Sequence, residues 1–253
     1  MSRPRLSAIL ITKDEAANID ACLASLQWCD EIVVVDCGSR DATVELARQR
    51  GARVEISADW PGFGPQKNRA LALASSDWVL SIDADERVTP ELAAEMQATI
   101  ASATALDAYA MPRLSSYCGQ FMRHGGWYPD PVLRLFRRGS GRFSDDLVHE
   151  RLLVHGSVGR LHHDLLHYSF RNFEQVLDKI NSYSSAGAHA MWQRGRRTSL
   201  SGAVLHGFWT FIRGYLLRLG ILDGKLGFLL AISNAHGAYY RYLKLWLLQQ
   251  QQD

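Results

Sequence analysis

Four short strand-like runs, each closed by a turn and followed by a helical pattern, constrain the first hundred residues of this 253-residue chain. They are Leu6 to Ile11, Glu31 to Val35, Arg53 to Ser57 and Trp78 to Ile82. Runs this short, rich in Val and Ile and bounded by polar turns, read as buried strands. Helical patterns follow at Ala16 to Trp28, Ala42 to Arg50, Gln66 to Ala74 and Pro90 to Ile100, with Thr89 as N-cap and Pro90 at the first helical position. Alternation of this kind predicts a mostly parallel sheet covered by helices on both faces. Ligands of such sheets lie beyond the carboxyl ends of the strands. Asp36 and Asp83 both stand at such ends, so they can serve one cleft although far apart in sequence.

The fourth run leads into Asp83-Ala84-Asp85. Two carboxylates with one spacer, where a strand meets a loop, can hold Mg²⁺ or Mn²⁺ and the diphosphate the ion carries. The competing reading is an Asx-rich turn that caps the strand. Neither GxGxxG nor GxxxxGK[ST] is present, which removes support for dinucleotide-binding and P-loop readings.

Composition is that of a globular protein, with 47% hydrophobic and 21% charged residues, but charge is unevenly spread. Residues 194–253 carry eight Lys/Arg against two acids, whereas the rest of the chain is net acidic. Two apolar stretches there, Val204 to Leu219 and Gly227 to Leu248, are interrupted by Arg213, Arg218, Arg241 and Lys244. Neither has the roughly 20 uncharged apolar residues of a spanning helix. Aromatics mixed with Arg and Lys fit helices lying in an anionic membrane interface; two ordinary packing helices are the alternative. The division expected is residues 1–193 as the main domain and 194–253 as a basic, amphipathic helical appendage. The cysteines Cys22, Cys29, Cys37 and Cys118 form no CxxC or zinc pattern, and a reducing compartment is expected. No signal peptide is expected in the first eleven residues.

A Thr12-x-x-Glu15 first turn, a strand ending Asp36-Cys37-Gly38-Ser39-Arg40-Asp41-Ala42-Thr43, and a later strand ending Asp83-Ala84-Asp85-Glu86 stand in one order. In that order they resemble glycosyltransferase family 2, whose fold is GT-A. The segment Gly64-Pro65-Gln66-Lys67-Asn68-Arg69-Ala70 adds to the resemblance. So do Val148-His149-Glu150, His167-Tyr168-Ser169 and Leu222-Asp223-Gly224-Lys225. Together these are similar to the branch of bacterial lipopolysaccharide core β-1,4-glucosyltransferases. The resemblance covers residues 5–100 at family level and extends through the tail at the narrower level.

It implies an inverting transfer of a sugar, glucose in the narrower branch, from a UDP-sugar donor to a lipid-linked saccharide acceptor. The protein would lie on the cytoplasmic, anionic face of the inner membrane, with no nucleic acid polymer as partner. Asp36 would accept the uracil N3–H, or instead cap its turn; Thr12 and Glu15 would border the base and ribose; Lys67 would meet base or phosphates. Asp83 would face the donor ribose. Asp85 would bind the Mg²⁺ or Mn²⁺, with His167 as a further ligand and His162 and His163 as competitors. An inverting transfer also needs a base for the acceptor hydroxyl. Glu150 is the first candidate and Asp130 the second, with Asp145 and Asp146 behind them; the Glu-Asp pair common among relatives at this position is missing. Arg134, Arg137 and Arg138 would meet phosphates. A haloacid-dehalogenase-like phosphatase, which also uses DxD, and a catalytically inactive nucleotide-sugar-binding protein on the membrane are the alternatives. Against the phosphatase, the motif follows the fourth strand rather than the first.

Overall fold

In the computed structural model, which describes residues 3–145 and 150–251, the apolar runs form strands. These are β1 (Leu6–Thr12), β2 (Glu31–Asp36), β3 (Arg53–Ile56) and β4 (Trp78–Ser81). The helices between them are α1 (Ala16–Ala24), α2 (Thr43–Gln49) and α3 (Phe63–Leu73). A short strand β5 (Glu86–Val88) precedes α4 (Pro90–Ala101). There the Thr89 side chain accepts the Leu92 N–H, as the Thr-Pro signal predicts. Then come β6 (Ala108–Tyr117), β7 (Gln120–Phe121), β8 (Asp130–Arg137), β9 (Gly141–Phe143), β10 (Leu152–Val154), β11 (Val158–Arg160) and β12 (Leu165–Phe170). Helices α5 (Phe173–Gln193), α6 (Leu200–Ile212) and α7 (Gly224–Gln250) follow. Between α6 and α7 the chain makes a π turn at Arg213–Leu217 and a 3₁₀ turn at Gly220–Asp223.

The chain divides into two compact units. One comprises residues 1–113 and 130–167, the other 114–129 and 168–253. The boundaries fall inside β6 and β12, not at residue 193.

In the first unit the strand order is β3-β2-β1-β4-β8-β6-β12-β5. The run β3-β2-β1-β4 is parallel, and β8 then joins β4 antiparallel. Parallel pairing needs helical crossovers, which α1, α2 and α3 supply. Strands β1, β2 and β4 are buried on both faces, so β1 and β2 read as nearly unbroken apolar runs, whereas the edge strand β3 is largely exposed. Side chains alternate between two cores: Leu6, Ala8 and Leu10 pack with α1 and α4 on one face. Ile9, Val33 and Val35 pack with α3 and Phe143 on the other. Each such fully buried Leu, Ile or Val contributes about 1.5–3 kcal/mol of transfer free energy.

The second unit has its own core, in which Tyr117, Met122, Val176 and Leu230 are buried with Trp127 and Phe170 against them. The Tyr117 hydroxyl lies 2.7 Å from Ser233 Oγ, so its buried polar end is satisfied. Gly227 lets α7 pass the preceding 3₁₀ turn; a Cβ there would fall 2.0 Å from the Gly220 carbonyl oxygen. The helical appendage expected from residue 194 onward is thus built together with α5 and residues 114–129.

Candidate active site

The carboxyl ends of β1 and β2 are tied together by their own polar side chains. Asp36 is fully buried, and four donors surround its carboxylate. Oδ1 accepts the N–H groups of Gly38 (3.0 Å) and Ser39 (2.8 Å), while Oδ2 accepts the hydroxyls of Ser39 (2.5 Å) and Thr12 (3.0 Å). A carboxylate offers about four lone-pair sites, so all are in use. Gly38 at φ +81° turns the chain into this cradle. Next to it, Asp14 accepts the Arg40 N–H, Ser39 Oγ accepts the Asp14 N–H, and Asp41 bonds Ala16 and Thr43. Glu15 starts α1, where its carboxylate takes the Asn18 amide and its N–H reaches Thr43 Oγ1. The Asp-x-Gly-Ser-x-Asp-x-Thr pattern is therefore a stapled double loop.

Two strands along, Asp83-Ala84-Asp85 forms the turn between β4 and β5. The Glu86 N–H reaches the Asp83 carbonyl at 2.9 Å, and Glu86 Oε2 accepts the Asp83 N–H at 2.9 Å. Arg87 spans from the turn to α1, donating to the carbonyls of Ala84, Glu86 and Asn18. With Asp36 on β2 and the turn on β4, β1 lies between, which sets them roughly 10 Å apart.

A line of alternating charges passes through this turn. Lys67 on α3 is buried; its Nζ lies 3.1 Å from Asp83 Oδ1 and 2.9 Å from Glu150 Oε1. Arg134 on β8 bonds Asp83 Oδ2 and, at 2.7 Å, Glu86 Oε1. Arg113 on β6 reaches the same Glu86 oxygen at 3.6 Å and binds Asp130 at 2.6 Å. Burial alone would raise the Asp83 carboxyl, yet Arg134 and Lys67 hold it well below the ordinary carboxylate range. Arg134 is likewise pushed up by Asp83 and Glu86 against the cost of its burial. Its Nε has no hydrogen-bond partner among the described residues.

Lys67 is placed by close packing of α3. Asn68 pairs with both backbone groups of Phe143 at 2.9 Å, and a Cβ on Gly64 would fall 1.8 Å from the Ser144 carbonyl oxygen. Gly64 is thus required for the approach that carries Lys67 to Asp83, a physical reason for the Gly-Pro-Gln-Lys-Asn segment.

Asp85 turns away from this network. Its Oδ2 lies 3.3 Å from His167 Nε2, which β12 delivers through antiparallel pairing of His167 with Glu86 on β5. His162 and His163 are drawn elsewhere, to Glu95 of α4. Among the described residues no three metal-ligating side chains come together. A carboxylate and an imidazole do, and a magnesium-like ion bound mainly through phosphate oxygens and water needs no more from the protein.

Arg137 and Arg138 are occupied structurally. Arg137 stacks over Trp78 at 4.6 Å, and Arg138 bonds the Ser76 carbonyl. Asp146, Val148 and His149 lie outside the described residues. Nothing in the local sequence marks Arg113, which is one Arg among many until strand pairing is known.

Residues 7–155 match the family model for glycosyl transferase family 2, more than half of the chain. The chain belongs to glycosyltransferase family 2. It is 31% identical to the lipopolysaccharide core biosynthesis glycosyltransferase LpsC of Rhizobium meliloti, over 95% of this chain and 92% of that one. It is 30% identical to an uncharacterised glycosyltransferase of Rickettsia typhi, over 95% and 86%. Among solved structures it is similar to glucosyl-3-phosphoglycerate synthase of Mycobacterium tuberculosis, with 26% identity and a TM-score of 0.39. That alignment spans 44% of either chain, less than half the length of the solved protein. The expected α/β architecture of the GT-A type, strands with flanking helices and a long C-terminal helix, is present. As a family 2 chain it is a transferase, and the phosphatase alternative is set aside.

Proposed function

We propose that this family 2 transferase is an inverting enzyme. It moves a hexose from a UDP-sugar to a lipid-linked saccharide of the lipopolysaccharide-core type. The supporting observation is the clustering of Asp83, Asp85, Lys67, Arg134 and His167 where β4 ends. The relationship to LpsC supports the acceptor class. Glucose as the sugar rests on the resemblance to core β-1,4-glucosyltransferases.

In this reading the stapled loops of Thr12, Glu15 and Asp36 form the nucleotide side of the cleft. A uracil N3–H would take the place of one hydroxyl donor on Asp36. Asp83, fixed between Lys67 and Arg134, faces the donor ribose, and the two cations offset negative charge on the diphosphate side. Asp85 and His167 are the residues that would hold Mg²⁺ or Mn²⁺. When bound, such an ion neutralises charge on the departing diphosphate as a Lewis acid. Glu150 takes the acceptor hydroxyl proton on a carboxylate oxygen, its orientation set by the bond from Lys67. Asp130, gripped by Arg113, is the competing base.

The test is hydrolysis and binding of UDP-glucose by the wild type and Asp85→Ala in Mg²⁺ or Mn²⁺. A panel of other sugar nucleotides, read by thermal shift, fixes the donor. Metal-dependent turnover that is lost in the variant supports the reading. Undiminished turnover in the variant would overturn the metal assignment, and no response to any sugar nucleotide would overturn the donor class.

A further inference from the structure

Helix α6 is built inside out. The side it buries carries the small residues Ala203 and Gly207. A Cβ on Gly207 would lie 3.0 Å from Tyr239 Cβ, so α7 is held close. The opposite side carries Val204, Leu205, Phe208 and Trp209, each between 54% and 65% exposed. Those positions fall on one helical face. An ordinary surface helix does the reverse, with large apolar residues inward and polar ones outward. The exposed apolar surface continues past the π turn through Leu217 and Leu222. A run of this size on a folded chain marks an interaction surface.

Charge identifies the partner. Arg213, Arg218 and Lys225 are interleaved with the apolar residues and exposed. The acid within residues 194–251 is Asp223 alone, and its carboxylate is turned inward onto His124. Among the described residues of this segment the face is therefore apolar and cationic with no compensating acid. A second copy of this chain would set like charge against like charge across a two-fold contact. Anionic lipid meets both requirements: acyl chains for Phe208 and Leu217, phosphates for the cations, and the headgroup boundary for Trp209. Long Arg and Lys side chains reach past buried apolar neighbours to such phosphates. Among the described residues no helix is long and apolar enough to cross a membrane, so α6 would lie in the surface plane.

We propose that the outer face of α6 and the turns after it dock this protein onto an anionic phospholipid bilayer. The inference stands on the second unit alone and is independent of which sugar is transferred.

The experiment is co-sedimentation of the full chain with vesicles of phosphatidylcholine, with and without phosphatidylglycerol. Wild type should bind the anionic vesicles, and added salt should weaken that binding. Leu205→Glu with Leu217→Glu should lower partitioning about tenfold or more. Its thermal midpoint and UDP-sugar hydrolysis should match wild type. Arg213→Gln with Lys225→Gln should reduce the dependence on phosphatidylglycerol while leaving weak binding. Three results would overturn the proposal: wild type that does not bind anionic vesicles, a double-Glu variant that binds as wild type does, or a lipid-free dimer that the double-Glu variant converts to monomer.

Discussion

Glu86 and Arg134 form the buried centre of the site: the Glu86 carboxylate is inaccessible to solvent and lies 2.7 Å from Arg134 Nη2. The same nitrogen holds Asp83, so one guanidinium fixes the buried Glu86 and the adjoining Asp83 together. Arg134→Met should therefore cost stability out of proportion to its volume. Removing one partner of a buried ion pair leaves the other charge unpaired, at about 3–5 kcal/mol. Urea unfolding should register that loss, and Arg134→Met combined with Glu86→Gln should recover part of it. Equal stability of the single variant and wild type would show that the pair carries no structural weight.

Asp83 should make the protein acid-sensitive. Burial works against its ionised form, but Arg134 and Lys67 more than compensate and leave its folded-state carboxyl below the ordinary value. A group depressed on folding contributes stability that is complete above its unfolded value and fades as pH falls. Stability of the wild type should thus decline as pH drops through and below about 4. Asp83→Asn should decline less steeply over the same window, which thermal unfolding as a function of pH would reveal.

The start of α4 permits a control on a side chain that bonds none of the described candidate site residues. Thr89 Oγ1 accepts the Leu92 N–H at 3.1 Å. Thr89→Ala should destabilise by about 1 kcal/mol through loss of the cap. UDP-sugar hydrolysis at a temperature where the variant is folded should be unchanged.

Features of this molecule that depend on near neighbours were readable in its sequence. The strand preceding Asp83, the Thr89-Pro90 helix start and the turn after Asp36 are all specified within a few residues. Features that depend on strand pairing were not. Arg113 meets Glu86 only because β6 and β5 join one sheet, and nothing near either residue announces the partner. Strand β5, three residues with two charges, has too little apolar pattern to be seen. Helix α1, expected to reach Trp28, ends at Ala24, where the Ser25 hydroxyl caps back onto the Cys22 carbonyl at 2.7 Å. Periodicity marked α6 as a helix, but which side faces the protein depended on Gly207 meeting Tyr239.

Asp85 and His167 should act as a unit toward metal. They lie 3.3 Å apart, outside the Lys67–Arg134 network. Each of Asp85→Ala and His167→Ala should lower metal-dependent turnover by about 10²–10³, the range for losing one electrostatic stabiliser of a leaving group. The double variant should be little worse than either single one, because residues serving one ion are not additive. Titration of Mn²⁺ by electron paramagnetic resonance in the presence of UDP would check binding separately from turnover. Strong additivity of the two losses would place them in different roles.

The base is decided by comparing Glu150→Gln with Asp130→Asn. Glu150 is bonded to Lys67, which also holds Asp83, so it is coupled through one side chain to the turn after β4. Asp130 is more exposed and is held by Arg113, four ion pairs beyond Asp83 along the same line of charges. If Glu150 takes the proton, Glu150→Gln should reduce kcat by about 10²–10⁴ while donor KM changes little. Asp130→Asn should then have a small effect. The pH profile supplies a second readout: loss of the base should flatten the acidic limb of kcat/KM. A large kcat loss confined to Asp130→Asn would move the base to the Arg113 end of the network and leave Glu150 as an anchor for Lys67.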